Sequence, residues 1–530
     1  MRRRELMKFE GDLLGDNYLT MEVLEDNFDV YFTSNCKYCI NKSGDWFDLS
    51  ANTSVTANAG DTLSFKAHIT KTSAGSGVGR FYASKKFNLS GNCMSLIFED
   101  EAANNFSLKD QVSAFDHLFA NQPVVNIAPN FLPATTLSDY CYEYMFGGCT
   151  SLVTAPDLPA TKLATDCYME MFFNNRSLRY APKLPATTMQ SRCYHSMFKW
   201  CSNLIVAPDL PATKLSTACY AYMFDGCGNL NESPKLPATT LADHCYYYMF
   251  ADTWVLPDCS NIDFYSSSVV SSGGLRGLFG GTRWTYHQLS EVLPVNSNGE
   301  CYLPCTTLAD YCYEFMFADC TDFTVAPKLP ATTLAERCYS NMFYGNYNLV
   351  TPPELPATTL ADSCYDSMFQ ECRNLEIAPE LPATILKDCC YYNMFESCAI
   401  KNPPELPSTR LAHYCYAYMF AGCELETAPE LPATTLANFC YEGMFDRCDK
   451  LTTAPDLPAT TLVTGCYNWM FADCSKLNYI KILAHDISVD YLNNFAYGAP
   501  REGTLVMSAN ANWIPTDLDS VFSTWTIQIV

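Results

Sequence analysis

The string Cys-Tyr-x-x-Met-Phe occurs twelve times without exception in those four letters. Its copies begin at Cys141, Cys167, Cys193, Cys219, Cys245, Cys312, Cys338, Cys364, Cys390, Cys415, Cys440 and Cys466. The step is 26 residues, apart from two steps of 25 and one of 67. A fixed period of this length marks one supersecondary unit repeated along an axis. One such unit cannot bury its own apolar face, so each must stack on the next. The 67-residue interval holds a divergent copy, Leu278-Phe279-Gly280-Gly281, which divides it into coils of 29 and 38 residues. Phe115-Asp116-His117-Leu118-Phe119 reads as a degenerate capping coil ahead of the array.

With the cysteine as position 0, apolar residues fall at 0, +1, +4, +5 and +8: Cys141, Tyr142, Met145, Phe146 and Cys149. This spacing predicts one face of a short helix. Thr136-Leu137-Ser138-Asp139 resembles a capping box at its start, and Thr240/Asp243, Thr307/Asp310, Thr333/Glu336 and Thr359/Asp362 repeat the pattern. Leu152-Val153-Thr154 predicts a short strand ended by Pro156. At +8 the cysteine is replaced by Asn175 and Asn346. Cys and Asn interchange at a turn where the side chain hydrogen-bonds loop backbone.

Met-Phe-x-x-Cys-x-x-Leu followed by a proline-ended strand resembles the BspA-like leucine-rich repeats, including the Treponema pallidum type, over roughly residues 114–480. The Leu-Pro-Ala-Thr-Thr variant is similar to versions from gut Bacteroidetes and their phages. The resemblance implies an α/β solenoid, a leucine-rich-repeat-type right-handed winding of ~26-residue coils. It also implies display on a surface, for adhesion to cells, matrix proteins or other microbes. It transfers no binding residues, because the family shares a scaffold and not a site. The usual export signal of the family is not seen here, and the unit is longer than the common form.

Composition supports a large core: 48% hydrophobic and 17% charged residues in 530. The net charge of -24 opposes binding to phosphate backbones, so no nucleic-acid partner is expected. No run of 18 apolar residues occurs, so no membrane insertion is expected. Arg2, Arg3 and Arg4 start like a signal peptide, but Glu5, Glu10 and Asp12 follow in place of an apolar stretch. The layout predicted is a polar leader (1–20), a small all-β domain (21–100), a repeat solenoid (101–480) with irregular coils at 251–305, and a C-terminal cap (481–530). The β domain is read from Leu63, Phe65, Ala67 and Ile69 alternating with Ser64, Lys66 and His68.

No catalytic, cofactor or metal site is read. Positions 0 and +8 of one helix lie about 12 Å apart, too far for a disulfide, so the cysteines are expected to be buried thiols. Cys36-Lys37-Tyr38-Cys39 is a lone Cys-x-x-Cys without a second pair at zinc spacing. Cys259, Cys301 and Cys305 are equally weak as ligands. The seven histidines form no recurring catalytic pattern. The carboxylates before each unit fit the capping box better than calcium, and Leu-Pro-Ala-Thr-Thr is structural, not a sortase signal.

The variable positions -1, +2, +3, +6 and +7 carry aromatic side chains among small polar ones, the vocabulary of a recognition surface. Ligand-binding candidates there are Tyr144, Trp200, Tyr222, Tyr248, Phe315, Tyr418 and Trp469. Trp254, Trp284 and Tyr286 join them from the irregular stretch. The reading is a non-enzymatic adhesion protein, at the cell surface, outside the cell or on a virion, that binds host or bacterial cell-surface protein or glycan. The alternative is a structural phage virion or appendage subunit, docking and oligomerising through residues 21–100.

Overall fold

The computed structural model describes residues 16–69, 77–254, 273–282, 290–487 and 492–530. Trp284, Tyr286, Cys259 and the leader up to residue 15 lie outside them. The described residues divide between two compact units, Met1–Ile262 and Asp263–Val530. The N-terminal strands fall in the same unit as the first coils.

In the first unit, strands β1 (Leu19–Val23), β3 (Cys36–Ile40), β4 (Phe47–Leu49), β6 (Thr62–Lys66), β8 (Phe87–Ser90) and β9 (Val124–Ile127) make one sheet, in the order β4-β3-β6-β1-β8-β9. A second sheet has the order β5-β2-β7, from β5 (Ser54–Ala57), β2 (Phe28–Phe32) and β7 (Phe81–Ala83). Rings from both sheets meet between them: Phe65 and Phe81 at 4.9 Å, Phe28 and Phe87 at 5.7 Å. The sheets are thus a sandwich with an aromatic core. β1 already begins at Leu19, inside the stretch read as leader. β9 pairs in parallel with β8, and Asn126 bridges in parallel to Thr154 of the following coil. The sandwich edge is thereby continued into the stack of coils.

The repeat unit is not a helix. Within the Cys141 coil the amides of Cys141, Glu143, Met145, Gly147 and Cys149 donate to the carbonyl three residues back. An α-helix would need the carbonyl four back. The alternate amides, Tyr142, Tyr144, Phe146 and Gly148, donate to Cys167, Met169, Met171 and Phe173 of the next coil at 2.7–3.0 Å. The chain runs as linked turns, each second amide tying one coil to the next. Such turns bring a left-handed residue every fourth position: φ is 58° at Tyr140, 49° at Tyr144 and 73° at Gly148. The same pattern is seen in the second unit, at Tyr311, Phe315 and Asp319. Residues at 0, +1, +4, +5 and +8 are buried as predicted, but on a period of four rather than 3.6.

Stacking of identical coils turns each fixed letter into a column. The Phe column of the first unit runs Phe81, Phe119, Phe146, Phe172, Phe198, Phe224 and Phe250, with centroids 5.4–5.9 Å apart. It begins in the sandwich itself. In the second unit, Phe279 of the divergent copy stacks on Phe317 at 5.5 Å, and the column continues to Phe471. Parallel, offset rings at this spacing contribute about 0.5–1.5 kcal/mol per pair beyond burial. The tyrosines form a second column, and there the hydroxyls of Tyr194, Tyr339 and Tyr365 are buried without a hydrogen-bond partner. An unsatisfied buried hydroxyl costs about 1–3 kcal/mol. Tyr339→Phe is therefore expected to raise the stability of the second unit by about 1 kcal/mol in urea titration. A loss would mean that the hydroxyl is bonded.

The cysteines among the described residues are all free, and all but Cys389 are buried. The helical distance argument fails with the helix, yet the thiol reading stands on a better reason. Each +8 thiol donates to the Phe carbonyl of the preceding coil: Cys149 to Phe119 at 3.1 Å, Cys372 to Phe343 at 3.2 Å, Cys474 to Phe445 at 3.0 Å. Asn346 makes the same bond, Nδ2 to the Phe317 carbonyl at 2.9 Å. This accounts for the exchange at Asn346, whereas the buried Asn175 amide makes no such bond. The capping box is corrected: Asp139, Asp310, Asp362 and Asp388 accept the amides of Thr165, Glu336, Asp388 and His413 in the following coil.

The strand expected at Leu152-Val153-Thr154 is reduced in most coils to single parallel bridges on two lines, such as Val206 to Glu232 and Thr136 to Lys162. Among the described residues of the second unit, regular strands form near its end. There β10 (Thr453–Leu457), β11 (Tyr479–Ile482), β12 (Thr504–Met507) and β13 (Thr526–Ile529) pair in sequence order, all parallel. Within residues 481–530, β12 and β13 thus continue the parallel succession beyond the last lettered coil. Trp513, Phe522 and Trp525 fill their interior.

Candidate binding surface

The left-handed residues place the variable side chains side by side along the outside of each stack. In the first unit they gather into one aromatic strip. His117 stacks on Tyr144 at 4.8 Å, Tyr144 meets Phe173 at 5.7 Å, and Phe173 meets Trp200 at 4.9 Å. Further along, Tyr222 packs against Tyr247 at 5.3 Å and Tyr248 at 6.0 Å. Lys199 joins the two stretches: its ammonium lies 5.4 Å from the Trp200 ring and 4.5 Å from that of Tyr222. Asp225 holds it, Nζ to Oδ2 at 2.5 Å. A cation over two ring faces with a carboxylate behind it is a favourable arrangement.

Four of the predicted residues, Tyr144, Trp200, Tyr222 and Tyr248, are therefore brought together. Trp200 is 47% exposed, whereas Tyr144, Tyr222 and Tyr248 are half-buried, less open than a helical outer face would make them. Trp254 is 56% exposed at the edge of the described residues. Phe315 belongs to another cluster in the second unit. Arg276 lies 5.7 Å from the Tyr311 ring and 5.9 Å from that of Phe315. It pairs with the fully buried carboxylate of Glu314 at 2.7 Å, which Arg337 contacts from the other side at 3.2 Å. Tyr418 lies edge-on to Tyr392 at 6.1 Å, and Trp469 is 38% exposed.

Sequence reading missed Phe173, Lys199 and the glycines that make room for the rings. A Cβ on Gly226 would lie 2.5 Å from Trp200 Cδ1, and one on Gly443 would lie 2.2 Å from Tyr418 Cε1. Each glycine follows its ring by one coil at the same position. That pairing was visible in the letters: Trp200 then Gly226, Tyr418 then Gly443, Phe439 then Gly465.

Other chemistry finds little support. Cys36 and Cys39 sit three residues apart on one strand, facing opposite sides, and cannot share a metal. Among the described residues no group of three His, Cys, Asp or Glu side chains is placed to hold an ion. Burial pushes the thiols of Cys149, Cys201 and Cys320 up to about 12, far from nucleophilic use near neutrality. No helix of the described residues is long and apolar enough to cross a membrane.

Residues 388–499 match the model of the BspA type leucine rich repeat region, in six copies. No curated protein matches the chain. Among solved structures, a chain of the TLR13–ssRNA13 complex matches at 10% identity and a TM-score of 0.19, over 76% of this chain and 61% of that one. This chain so spans about three fifths of that protein's length, and a likeness at that score carries no argument about ligand or fold.

Proposed function

Because the chain carries BspA-type leucine-rich repeats, we propose that it is a non-enzymatic binding protein that engages a cell-surface partner through the aromatic strip of its first unit. In this reading the coils wind as a right-handed solenoid, and the protein works at a cell surface, outside the cell or on a virion. One observation carries it. The variable rings Tyr144, Phe173, Trp200, Tyr222 and Tyr248 gather into one strip along the first unit, joined by Lys199, with Trp200 47% exposed at its middle. Partly exposed aromatic side chains grouped in this way mark recognition surfaces. The fixed letters already supply the core, so packing does not require these rings.

The alternative is a structural phage virion or appendage subunit docking through residues 21–100. The β8 edge of the sandwich is occupied by β9 and leads into the coils. For that reason binding should be measured on the full chain, since removing the sandwich would bare Phe119.

The test is titration of the labelled full chain onto bacterial and epithelial cells, before and after treatment with protease or periodate. Saturable binding that one treatment abolishes is expected, and the treatment identifies protein or glycan as the partner. Absence of saturable binding to every cell type would overturn the reading in favour of a structural role.

A further inference from the structure

We propose that Glu143 and Glu170, together with the rings of His117, Tyr144 and Phe173, form a site for the side-chain ammonium of a lysine on a partner protein. This rests on the recognition reading above and adds the chemistry of the partner.

Glu143 and Glu170 lie on successive coils, held by backbone bonds from His117 to Glu143, Tyr144 to Met169 and Glu170 to His195, each 2.9 Å. Both are half-buried, and neither carboxylate has a hydrogen-bond or ion-pair partner among the described residues. The rings beside them are in mutual contact, His117 to Tyr144 to Phe173. Asp166, on the same coil as Glu170, is fully buried. It binds Arg192 through Oδ2 at 2.7 Å and leaves Oδ1 without a partner. Half-buried carboxylates without a direct ion pair are costly, and the nearby His117, Lys199 and Arg192 offset that cost only in part.

The same unit shows what completes such a constellation. Lys199 sits over Tyr222 and Trp200 with its ammonium on Asp225. Lys66 sits 4.5 Å from the Trp46 ring and 5.5 Å from the Tyr18 ring, with its ammonium 2.6 Å from Asp100. Two ring-and-carboxylate settings thus hold a lysine of this chain, whereas Glu143 and Glu170 have the rings and carboxylates and no lysine of this chain. An ammonium, with three donors on one point charge, can be shared between carboxylates of two coils. A neutral sugar would leave both charges uncompensated.

The electrostatics give the site a pH signature. Burial pushes Glu143 up to about 7, Asp116, Asp166 and Glu170 add to the shift, and His117 opposes it. Burial also raises Glu170, against His117 and Lys199. The other groups facing Glu143 are Tyr140, Tyr144 and Arg192. His117 is itself bonded to Asp116, and Arg192 to Asp166. An ammonium favours the ionised carboxylates, so binding expels a proton and strengthens as pH rises through about 7.

The probe is a ten-residue peptide of alternating Gly and Lys, titrated onto the full chain in 0.15 M salt at pH 5.5 and pH 8. Expected is about tenfold tighter binding at pH 8. The gain should vanish in the Glu143→Gln/Glu170→Gln variant and persist in Glu405→Gln/Glu430→Gln, whose carboxylates are exposed and far along the chain. Nε-acetylation of the peptide should abolish binding. Equal binding at both pH values, equal loss in the two variants, or binding of a glucosamine oligomer but not the peptide would each overturn the proposal. Because the Gln changes remove buried charge, the thermal midpoint should hold or rise. Cell binding that depends on Trp200 and Tyr222 but not on these carboxylates would sink this inference alone. Loss of neither would sink the recognition reading as well.

Discussion

Phe198→Ala is expected to destabilise the first unit by about 3–5 kcal/mol, measured as a shift in its urea unfolding midpoint. Phe198 is fully buried in mid-column, with Phe172 5.7 Å away on one side and Phe224 5.9 Å away on the other. Truncation removes a ring from the core and both stacking partners at once. It also empties space beneath a carbonyl that accepts the Cys227 thiol at 3.1 Å. Neighbouring coils cannot close the gap, because inter-coil amide bonds on either side fix their spacing: Phe172 to Met197 and Phe198 to Met223, both 3.0 Å. Phe198→Leu should recover more than half of the loss, as it keeps the apolar volume but not the stacking. A loss below about 1 kcal/mol for the Ala variant would mean that the column is not close-packed.

The sequence disclosed the stack and its core because identical coils repeat the same burial twelve times, and any arrangement must bury Cys, Tyr, Met and Phe. It misled on the local conformation. Apolar positions 0, +1, +4, +5 and +8 satisfy a period of 3.6 and a period of 4 equally over so short a span. Only the letters at the alternative phase could decide. Gly148, Asn174, Gly226, Gly345 and Gly422 recur at +7, and Asp166 and Asn341 lie at the other left-handed positions, -1 and +3. Glycine, Asn and Asp every fourth residue is the signature of turns with positive φ, not of a helix. The capping box failed for a related reason. Asp139 is three residues beyond Thr136 in the chain, but the amide it accepts is Thr165, one coil ahead. A contact between coils leaves no trace in the spacing within one.

The candidate surface was half legible. Aromatic letters in the variable columns marked Tyr144, Trp200, Tyr222 and Tyr248, but which columns adjoin depends on the turn geometry. Phe173 at +6 therefore joins Tyr144 at +3 to Trp200 at +7. The half-buried carboxylates beside them carried no sequence signal, since acidic residues at variable positions read as ordinary solvated charge.

The most direct measurement is cell binding by Trp200→Ala/Tyr222→Ala beside the unaltered full chain. The indole of Trp200 reaches across the next coil at Gly226, and Lys199 fixes it against Tyr222. These rings are the large, partly exposed anchors at the middle of the strip, the kind of side chain whose truncation costs about 2 kcal/mol or more in a recognition surface. Neither lies in the Phe or Tyr column, so the fold should survive and the thermal midpoint should move by no more than a few degrees. Binding is expected to weaken about thirtyfold or to be lost, with unfolding unchanged. Unchanged cell affinity in the folded double variant would contradict it and remove the aromatic strip from the function of this protein.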